Sequence, residues 1–412
     1  MSVLANKHIL FLTSTNLACN PRCLKEVRLA VSQGAKVTVV AFILHNWSDR
    51  IEAALNRELT GVDFHYLETT KKKWFTWLIA SLAERTARFI SPLVNESVFW
   101  AAIAVSKRSW LLLNWVKRSS IQPALVIAHN PAAFYPASYL ASLHTIPFAL
   151  DIEDYHPGES IPENAKNGVS LLMSKLIPAT AYTSFAAPLI KQYTEKLLHT
   201  STANTIVINN YFASKDFSAP FVSQKEKLQL VWFSQNIDAG RGLEALLLVF
   251  PAFENVFDLT LIGNPKEPFC TNFIAGNKGI TVIPSLHPSK LIQIMAQFDI
   301  GLAMEPAKDL NNTLALSNKL LTYFQAGLFI IASETPAQKL FMDGHPQHGV
   351  CTALSKEKLY AAFTAIAENQ DEIKRAKQDR FTTARSFNWE NESAILLKEW
   401  NRLLADKAVP RV

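Results

Sequence analysis

One helical segment of the chain combines a lysine with a helix start that favours anions. Ser317 is a good N-cap, and the helical pattern over 317–325 ends at Gly327 before a buried strand. Because the first-turn N–H groups and the positive end of the helix dipole would lie beside the Lys319 ammonium, phosphate or diphosphate is the ligand that this pattern favours. A plain surface helix with a solvated lysine is the alternative.

A second basic element follows an apolar strand further upstream. Gly240 and Gly242 flank Arg241 and allow close approach of the backbone, and a helical pattern over 241–250 continues from them. In an α/β sheet, both loops would lie at the carboxyl ends of strands, where such sheets bind ligands. An arginine and a lysine could then converge on one diphosphate, although a glycine-flanked arginine also occurs in ordinary turns.

Length and composition indicate an ordered protein with two domains. The chain has 412 residues, of which 49% are hydrophobic, enough for two domains that each bury a core. Charged residues make up 18% and the net charge is +6, which suits anionic small molecules or an anionic membrane face better than nucleic acid. The sequence has no helix-turn-helix, zinc-finger or RNA-binding aromatic pattern, so no nucleic-acid partner is expected.

The cysteines and the apolar runs indicate the cellular compartment in which the protein is expected. Four cysteines do not make a disulfide framework in a chain this long, and Cys19 and Cys23 are expected to be buried thiols in a reducing cytoplasm. The first apolar run is too short for a signal-peptide core, and no run of about 18 apolar residues occurs. We therefore expect a cytoplasmic protein, either soluble or peripheral at the inner face of the plasma membrane.

Short apolar runs alternate with helical patterns, which predicts parallel sheets in an α/β protein. In the first half, strands are predicted at 8–13, 36–42, 62–67, 124–128, 147–151, 179–184 and 204–208, and helices at 21–33, 132–143 and up to about 198, with two long helical stretches between 74 and 117. In the second half, strands are predicted at 228–233, 257–262, 280–283, 299–303 and 328–332, separated by helices at 241–250, 288–297 and 317–325. The predicted domains are 1–210 and 228–389, both doubly wound and Rossmann-like, with a linker at 211–227.

Taken in order, several of these segments resemble the bacterial family 4 glycosyltransferases, which have the GT-B fold. The run Asn318-Lys319-Leu-Leu-Thr-Tyr323-Phe-Gln-Ala-Gly327 is similar to their Asn-Lys-x-x-Glu-Tyr-x-x-x-Gly signature. The strand, loop and Gly-Arg-Gly-Leu-Glu244 run looks like their donor-phosphate loop. Segments 127–130 and 151–159 resemble their acceptor-side stretches, and 387–390 resembles the segment before their returning C-terminal helix. The resemblance covers nearly the whole chain.

The resemblance implies a retaining transfer of a sugar from a nucleotide-diphosphate donor to a glycan or lipid-linked acceptor in cell-surface polysaccharide biosynthesis, without a metal or cofactor. The two domains would face each other across a cleft, and a helix at 390–412 would pack back on the first. If no metal neutralises the leaving diphosphate, fixed cations must do so. The donor-binding residues that the resemblance implies are Ser234, Gln235, Gly240, Arg241, Gly242, Glu305, Ser317, Asn318, Lys319 and Thr322.

The chain departs from the family at two acidic positions. Many members place two glutamates eight residues apart, one for the donor sugar and one for the ribose hydroxyls, and the matching positions here are about Leu314 and Thr322. Glu305 is nearby and could substitute for a missing acid. A threonine donates and accepts one hydrogen bond, whereas a carboxylate accepts from two vicinal hydroxyls, so ribose recognition is weaker or arranged differently. The nucleobase and the sugar stay open.

Polar residues of the first domain follow two of its predicted strands. His129 ends an apolar strand and could accept the acceptor hydroxyl's proton or bind the transferring sugar, or it could be a packing histidine. A cluster of carboxylates and a histidine follows the next strand, and such groups shift one another's pKa. The catalytic candidates are His129, Glu153, Asp154 and His156, with the base unassigned. Arg22, after the helix-starting Pro21, could contact the acceptor or a phosphate, but it is expected to be solvated.

A basic run precedes aromatic residues on a helical pattern between 71 and 89. Lys71, Lys72 and Lys73 are followed by Trp74 and Phe75, a combination that suits peripheral contact with an anionic leaflet. The alternative is a helix buried against the first domain with a solvated lysine turn.

Two other functions fit a protein of this fold. The missing acids allow a degenerate GT-B protein that acts as a partner or binding subunit, and a nucleotide-sugar epimerase uses the same two-domain fold. A dinucleotide-dependent oxidoreductase is disfavoured, because no Gly-x-Gly-x-x-Gly follows the first strand.

Overall fold

The structure is a computed structural model that describes residues 2–94, 96–199, 204–221 and 225–405. The chain forms two compact units, each with its own parallel sheet. The first unit comprises the described residues of 1–209 and of 393–412, and the second comprises those of 210–392.

The first unit contains seven strands among its described residues. They are β1 His8–Thr13, β2 Lys36–Ile43, β3 Val62–Glu68, β4 Leu125–His129, β5 Phe148–Ile152, β6 Tyr182–Phe185 and β7 Thr205–Val207. Its α-helices up to the end of this sheet are α1 Pro21–Ser32, α2 Ser48–Glu58, α3 Trp74–Ile90, α4 Val98–Val105, α5 Lys107–Arg118, α6 Pro131–His144, α7 Glu163–Leu176 and α8 Pro188–Leu198. The strand order is β3-β2-β1-β4-β5-β6-β7 with every pair parallel, so the order reverses between β1 and β4.

The second unit repeats this plan with six strands among its described residues. They are β8 Leu228–Ile237, β9 Phe257–Pro265, β10 Ile280–Ile283, β11 Ile300–Ala303, β12 Phe329–Ser333 and β13 Gly349–Thr352. Its helices are α9 Glu244–Val249, α10 Phe269–Phe273, α11 Pro288–Ile294, α12 Leu310–Leu314, α13 Asn318–Gln325, α14 Pro336–Asp343, α15 Lys356–Glu368, α16 Gln370–Arg375 and α17 Lys377–Ala384. The parallel order is β10-β9-β8-β11-β12-β13, so the order reverses between β8 and β11.

The central strands are buried on both faces because helices cover them, and this explains their continuous apolar runs. Helix α1 begins where Asn20 caps it, with its side-chain oxygen accepting from the Cys23 N–H and with Pro21 in the first turn. Cys23 is buried as predicted, whereas Cys19 is only partly buried.

The last helix, α18 Trp389–Leu404, contacts residues of both units. At its start, the Trp389 N–H donates to the Phe212 carbonyl of the second unit at 3.0 Å. Towards its end, Trp400 is fully buried and its Nε1–H donates to the Tyr182 hydroxyl of the first unit at 2.8 Å. A C-terminal helix that packs back on the first unit is therefore confirmed.

Most predicted elements are present, with some differences. The two helical stretches expected between 74 and 117 are three helices, α3 to α5, and the helix expected at 241–250 begins only at Glu244. Helices α2, α7, α10, α12 and α14 and strand β13 were not predicted. The segment 211–227, predicted as a linker, contributes Tyr211 and Phe217 to a hydrophobic core of the second unit. None of the described helices combines the length and the apolar character needed to cross a bilayer.

Candidate functional site

The candidate donor site lies in the second unit, where the strand order reverses between β8 and β11. The two strands pair in parallel, with Leu230 opposite Ile300 and Val231 opposite Gly301. The loops that follow them therefore leave the same edge of the sheet side by side. A crevice of this kind at the carboxyl ends of parallel strands is where doubly wound sheets bind ligands.

The loop after β8 is held in a conformation that glycine allows. Gly240 and Gly242 have φ values of 68° and 80°, in the left-handed region. A Cβ on Gly242 would lie 2.7 Å from the Met304 carbonyl oxygen, so the loop after β8 packs directly on the loop after β11. Arg241, between the two glycines, is exposed, and among the described residues no carboxylate pairs with it.

The loop after β11 contributes a lysine, Lys308, that was not predicted as a site residue from the sequence. The Lys308 ammonium lies 3.2 Å from where a Cβ on Gly240 would be, so it covers the glycine of the preceding loop. Lys308 is exposed. It lies five residues beyond the end of β11 and outside any family motif, so only the sheet order, which places β11 beside β8, brings it to this edge.

Glu305 connects the same loop to the start of α13. The Lys319 ammonium lies 2.5 Å from the Glu305 carboxylate, and both side chains are mostly buried, with 16% and 25% exposed. Ser333, at the end of β12, fixes the Glu305 backbone, because its hydroxyl accepts from the Glu305 N–H at 2.9 Å and donates to the Glu305 carbonyl at 2.8 Å. Gln338 donates to the same hydroxyl at 2.7 Å. No motif in the sequence points to Ser333 or Gln338.

Helix α13 begins as predicted. The Ser317 hydroxyl accepts from the Leu320 N–H at 3.2 Å, and this capping leaves the N–H groups of Asn318 and Lys319 at the positive end of the helix dipole. The Asn318 side-chain oxygen accepts from the Asn210 amide at 2.9 Å. The start of α13, Lys319 and the glycine loop after β8 thus lie at one edge of one sheet. An anion there would contact both backbone N–H groups and fixed cations.

Three predicted donor residues have other surroundings. Thr322 is buried, and its hydroxyl donates to the Asn318 carbonyl at 2.7 Å, so its proton is used inside the helix. Ser234 and Gln235 lie on β8 itself, where the pairing with β9 shifts register between Phe233 and Asn236. Ser234 is partly buried and Gln235 is exposed.

In the first unit, His129 lies at the matching switch point, at the end of β4. It is completely buried, with Nδ1 3.3 Å from Asp151 and Nε2 3.4 Å from Glu26. Burial opposes its charged form, but the neighbouring Cys23 and Glu26 and the hydrogen bond to Asp151 outweigh burial and raise the pKa of His129. The imidazole is therefore held as a cation among carboxylates.

Arg22 is not solvated, contrary to the prediction. Only 2% of it is exposed, and its Nε and Nη2 donate to the two oxygens of Asp151 at 2.6 and 2.8 Å. It also donates to the Ile208 carbonyl at 2.5 Å. Although burial alone would raise the pKa of Asp151, the Arg22 charge and the His129 hydrogen bond hold it below its usual range. The prediction failed because Asp151 is distant in sequence and only the order of the sheet brings it to α1.

The other catalytic candidates surround this group. The Glu153 carboxylate lies 3.4 Å from His129 Nδ1 and its side chain is 22% exposed. His156 is buried, and its Nδ1 lies 2.5 Å from the Glu159 carboxylate. Burial opposes the charge on His156, but this carboxylate outweighs it and raises its pKa. Asp154, like Glu153, is partly exposed.

A metal fits this cluster poorly. The ligand atoms of Glu26, His129 and Asp151 lie within 4.8 Å of one another, and within the described parts of the chain they are the group that could hold an ion. Both Asp151 oxygens, however, already accept from Arg22, and Ser184 also donates to one of them. The adjacent guanidinium would repel a cation.

Comparison with solved structures shows which fold these two units make. The glycosyltransferase from Rickettsia africae ESF-5 matches with a TM-score of 0.67 at 12% identity, over 98% of this chain and 100% of that one. Anabaena Alr3699/HepE, solved in complex with UDP, matches with a TM-score of 0.67 at 10% identity, over 96% and 100%. A putative UDP-N-acetylglucosamine 2-epimerase from Listeria monocytogenes matches with a TM-score of 0.60 at 10% identity, over 98% of both chains.

Sequence comparison adds nothing to this likeness, since no protein-family model and no curated protein matches the chain. At 10 to 12% identity, the structural likeness establishes the fold alone. The two Rossmann-like sheets and the returning helix α18 are those of the GT-B fold, as the motifs predicted.

Proposed function

We propose that this protein is a retaining, metal-independent glycosyltransferase of family 4, which moves a sugar from a nucleotide-diphosphate donor to a glycan or lipid-linked acceptor in cell-surface polysaccharide biosynthesis. The observation that carries the proposal is the cation group at the β8/β11 edge, formed by Arg241, Lys308 and Lys319 around two packed loops. The UDP complex of HepE, which has the same fold, supports a nucleotide donor.

In this proposal the second unit binds the diphosphate. As the bond between sugar and diphosphate breaks, negative charge grows on the leaving phosphate, and cations fixed beforehand stabilise it without reorganising. Lys319 has three N–H donors, so it can keep its contact with Glu305 and still bind a phosphate oxygen. The N–H groups at the start of α13 and the exposed Arg241 add further donors.

Glu305 takes the sugar side of the site in this proposal. Its backbone is fixed by Ser333, and its carboxylate is partly exposed while it contacts Lys319. It can thus accept from a sugar hydroxyl, the role that the family gives to a glutamate near Leu314. Because the Thr322 hydroxyl proton is bound within α13, we assign no ribose contact to that hydroxyl.

The first unit contributes the acceptor side. Among the four catalytic candidates, Glu153 and Asp154 are partly exposed, whereas His129 and His156 are buried. We infer that the two carboxylates touch the acceptor and that His129 positions Glu153. The leaving phosphate takes the acceptor's proton.

A panel of nucleotide-diphosphate sugars tests the donor site by thermal shift. At least one donor should raise the melting temperature of the wild-type protein, and Lys319→Ala and Arg241→Ala should each weaken its binding by about tenfold to a hundredfold, as expected for a lost charged hydrogen bond. Lys356→Ala, which removes an exposed lysine from α15, is the matched control and should bind the donor normally. If no common donor gives a shift, the enzyme proposal is wrong.

The second candidate is a binding subunit without activity, and the internal bond of Thr322 favours it. Such a protein would bind a donor through Lys319 and yet release no nucleoside diphosphate with any acceptor. An epimerase would instead convert the donor's sugar without any acceptor. Product analysis after incubation with the bound donor separates the three.

A further inference from the structure

Helix α3 presents large apolar side chains to solvent. Trp74, Phe75, Leu82 and Phe89 are 65%, 62%, 52% and 75% exposed, and Leu78 is also exposed. Exposed apolar residues are ordinary when scattered, but a contiguous group marks a surface that contacts something else. The alternative of a helix buried against the first domain therefore fails for this group of side chains.

These side chains share one face of the helix. At 100° per residue, positions 74, 78, 82 and 89 fall within about 80° of one another. The opposite face is fixed to the fold, since Ala80 and Ala87 are fully buried and Ala87 packs with Ile103 of α4. The fold thus holds α3 rigidly while its apolar stripe, defined as Trp74, Phe75, Leu78, Leu82 and Phe89, points outward.

Positive charge accompanies the apolar stripe. Lys71, Lys72 and Lys73 form an exposed turn directly before α3, and Arg85 is exposed within the angular range of the stripe. The acidic residue of α3, Glu84, lies 2.7 Å from Arg88 and is neutralised by it.

We propose that the apolar stripe and the lysine turn dock the first unit on an anionic lipid bilayer. A helix lying in the interface buries its apolar face beside the acyl chains while its basic residues meet lipid phosphates at the same depth. The 17 residues of α3 can lie along the surface of one leaflet. A protein partner would need an apolar surface ringed by acidic groups, whereas an anionic bilayer supplies both everywhere.

Docking does not depend on the proposed donor site, which lies in the other unit. Vesicle binding is measured without nucleotide sugar, so its failure leaves the glycosyltransferase proposal intact, and failure of donor binding leaves the docking proposal intact.

Co-sedimentation of the full chain with vesicles tests the proposal. The wild type should bind vesicles of equimolar phosphatidylcholine and phosphatidylglycerol, and should bind pure phosphatidylcholine far more weakly. Lys71→Gln with Lys72→Gln should weaken binding to the anionic vesicles about twenty-fivefold, at roughly fivefold for each basic residue near the surface. Lys73 is left unchanged because its ammonium lies 3.8 Å from Glu68. Phe89→Ser should weaken binding about tenfold through lost apolar burial.

Matched controls change two exposed lysines and one exposed apolar residue in the second unit. Lys356→Gln with Lys358→Gln removes two exposed lysines of α15, and Leu248→Ser removes a leucine of α9 that is 60% exposed. Both should bind vesicles like the wild type. The proposal is overturned if the wild type does not bind, if the α3 variants and the controls bind alike, or if Phe89→Ser changes self-association in sedimentation velocity but not vesicle binding.

Discussion

Arg22 and Asp151 form a buried ion pair in the first unit, with exposures of 3% and 0% for the two side chains. The pair is joined by His129 and Glu26, so four ionisable groups share a volume closed to solvent. Buried charges of this kind are tolerated only while every partner remains, because a lone charge in a low dielectric has lost its hydration without compensation.

Asp151→Asn should therefore destabilise the protein strongly. The variant leaves the Arg22 guanidinium buried without its counter-charge, and the expected cost is about 3 to 5 kcal/mol. Glu58→Gln is the control, because the Arg28–Glu58 pair has the same 2.6 Å contact but side chains that are 45% and 56% exposed. That change should cost less than about 1 kcal/mol. Denaturant midpoints compare the two, and equal losses would contradict the role given to burial.

Burial of His348 should make the stability of the second unit depend on pH. Burial lowers its pKa to about 4, and its Nε2 lies 3.2 Å from the Arg380 carbonyl. The unfolded chain, with a pKa near 6.5, then binds more protons than the folded one between pH 6.5 and 4. Stability should fall as the pH drops through that range, by on the order of 3 kcal/mol from this residue. His348→Gln should show a shallower decline in denaturant midpoint from pH 7 to 5, and parallel curves would exclude this cause.

At the scale of elements, the start of α13 and the loop before α9 make the candidate donor site. Both depend on local rules that can be tested by small changes. Ser317 stabilises the helix by capping it, and Gly242 permits two loops to touch.

Ser317→Ala and Ser317→Asp should separate stability from anion binding. Alanine removes the cap and should cost about 1 kcal/mol, whereas aspartate keeps a capping oxygen and should preserve stability. Aspartate also places a negative charge at the anion site, so it should weaken binding of a nucleoside diphosphate more than alanine does. Melting temperature and calorimetric titration measure the two effects. The reverse order of affinities would argue against an anion site at this helix.

Gly242→Ala should destabilise more than Gly276→Ala. Both glycines have positive φ, 80° and 81°, so alanine pays a similar backbone cost of about 1 kcal/mol at each. Only at Gly242 would the new Cβ meet the Met304 carbonyl at 2.7 Å, since nothing lies within 4 Å at Gly276. The difference between the two denaturant midpoints therefore reports the contact between the loops, and no difference would mean that they move apart freely.

Many of the strands and helices could be predicted from the sequence, because burial in a sheet constrains which residues a strand can contain. The apolar run 8–13 is a strand with the predicted bounds, because a strand covered on both faces must be continuously apolar. The strand at 280–283 also has the predicted bounds, although it lies at the edge of its sheet and is partly exposed. Strand β13 was missed because it is four residues long and begins with Gly349. The burial of Arg22 and the position of Lys308 were missed because each depends on a neighbour that is close only once the strands have their order.

At the scale of the whole molecule, α18 links the C-terminal part of the chain to the first unit. Leu396 and Trp400 are fully buried there, and Trp400 donates to Tyr182. The first unit is thus completed by residues that follow the whole second unit in sequence.

Trp400→Ala should open the first unit selectively. Loss of a buried tryptophan and its hydrogen bond should cost about 3 to 5 kcal/mol. Trp74→Ala, which removes a tryptophan that is 65% exposed, should change stability by no more than about 0.5 kcal/mol. Limited proteolysis followed by mass mapping should show faster cleavage within 1–209 for Trp400→Ala alone. Cleavage confined to 210–392 would contradict the assignment of α18 to the first unit.

This position of α18 also affects how the chain is made. Domains usually fold in the order in which they are synthesised, the N-terminal one first. Here the ribosome must translate all of 210–392 before it adds Leu396 and Trp400, which cover the earlier unit. We therefore expect the first unit to keep an uncovered apolar surface while the second can already fold, so that the unit translated first is the last to mature.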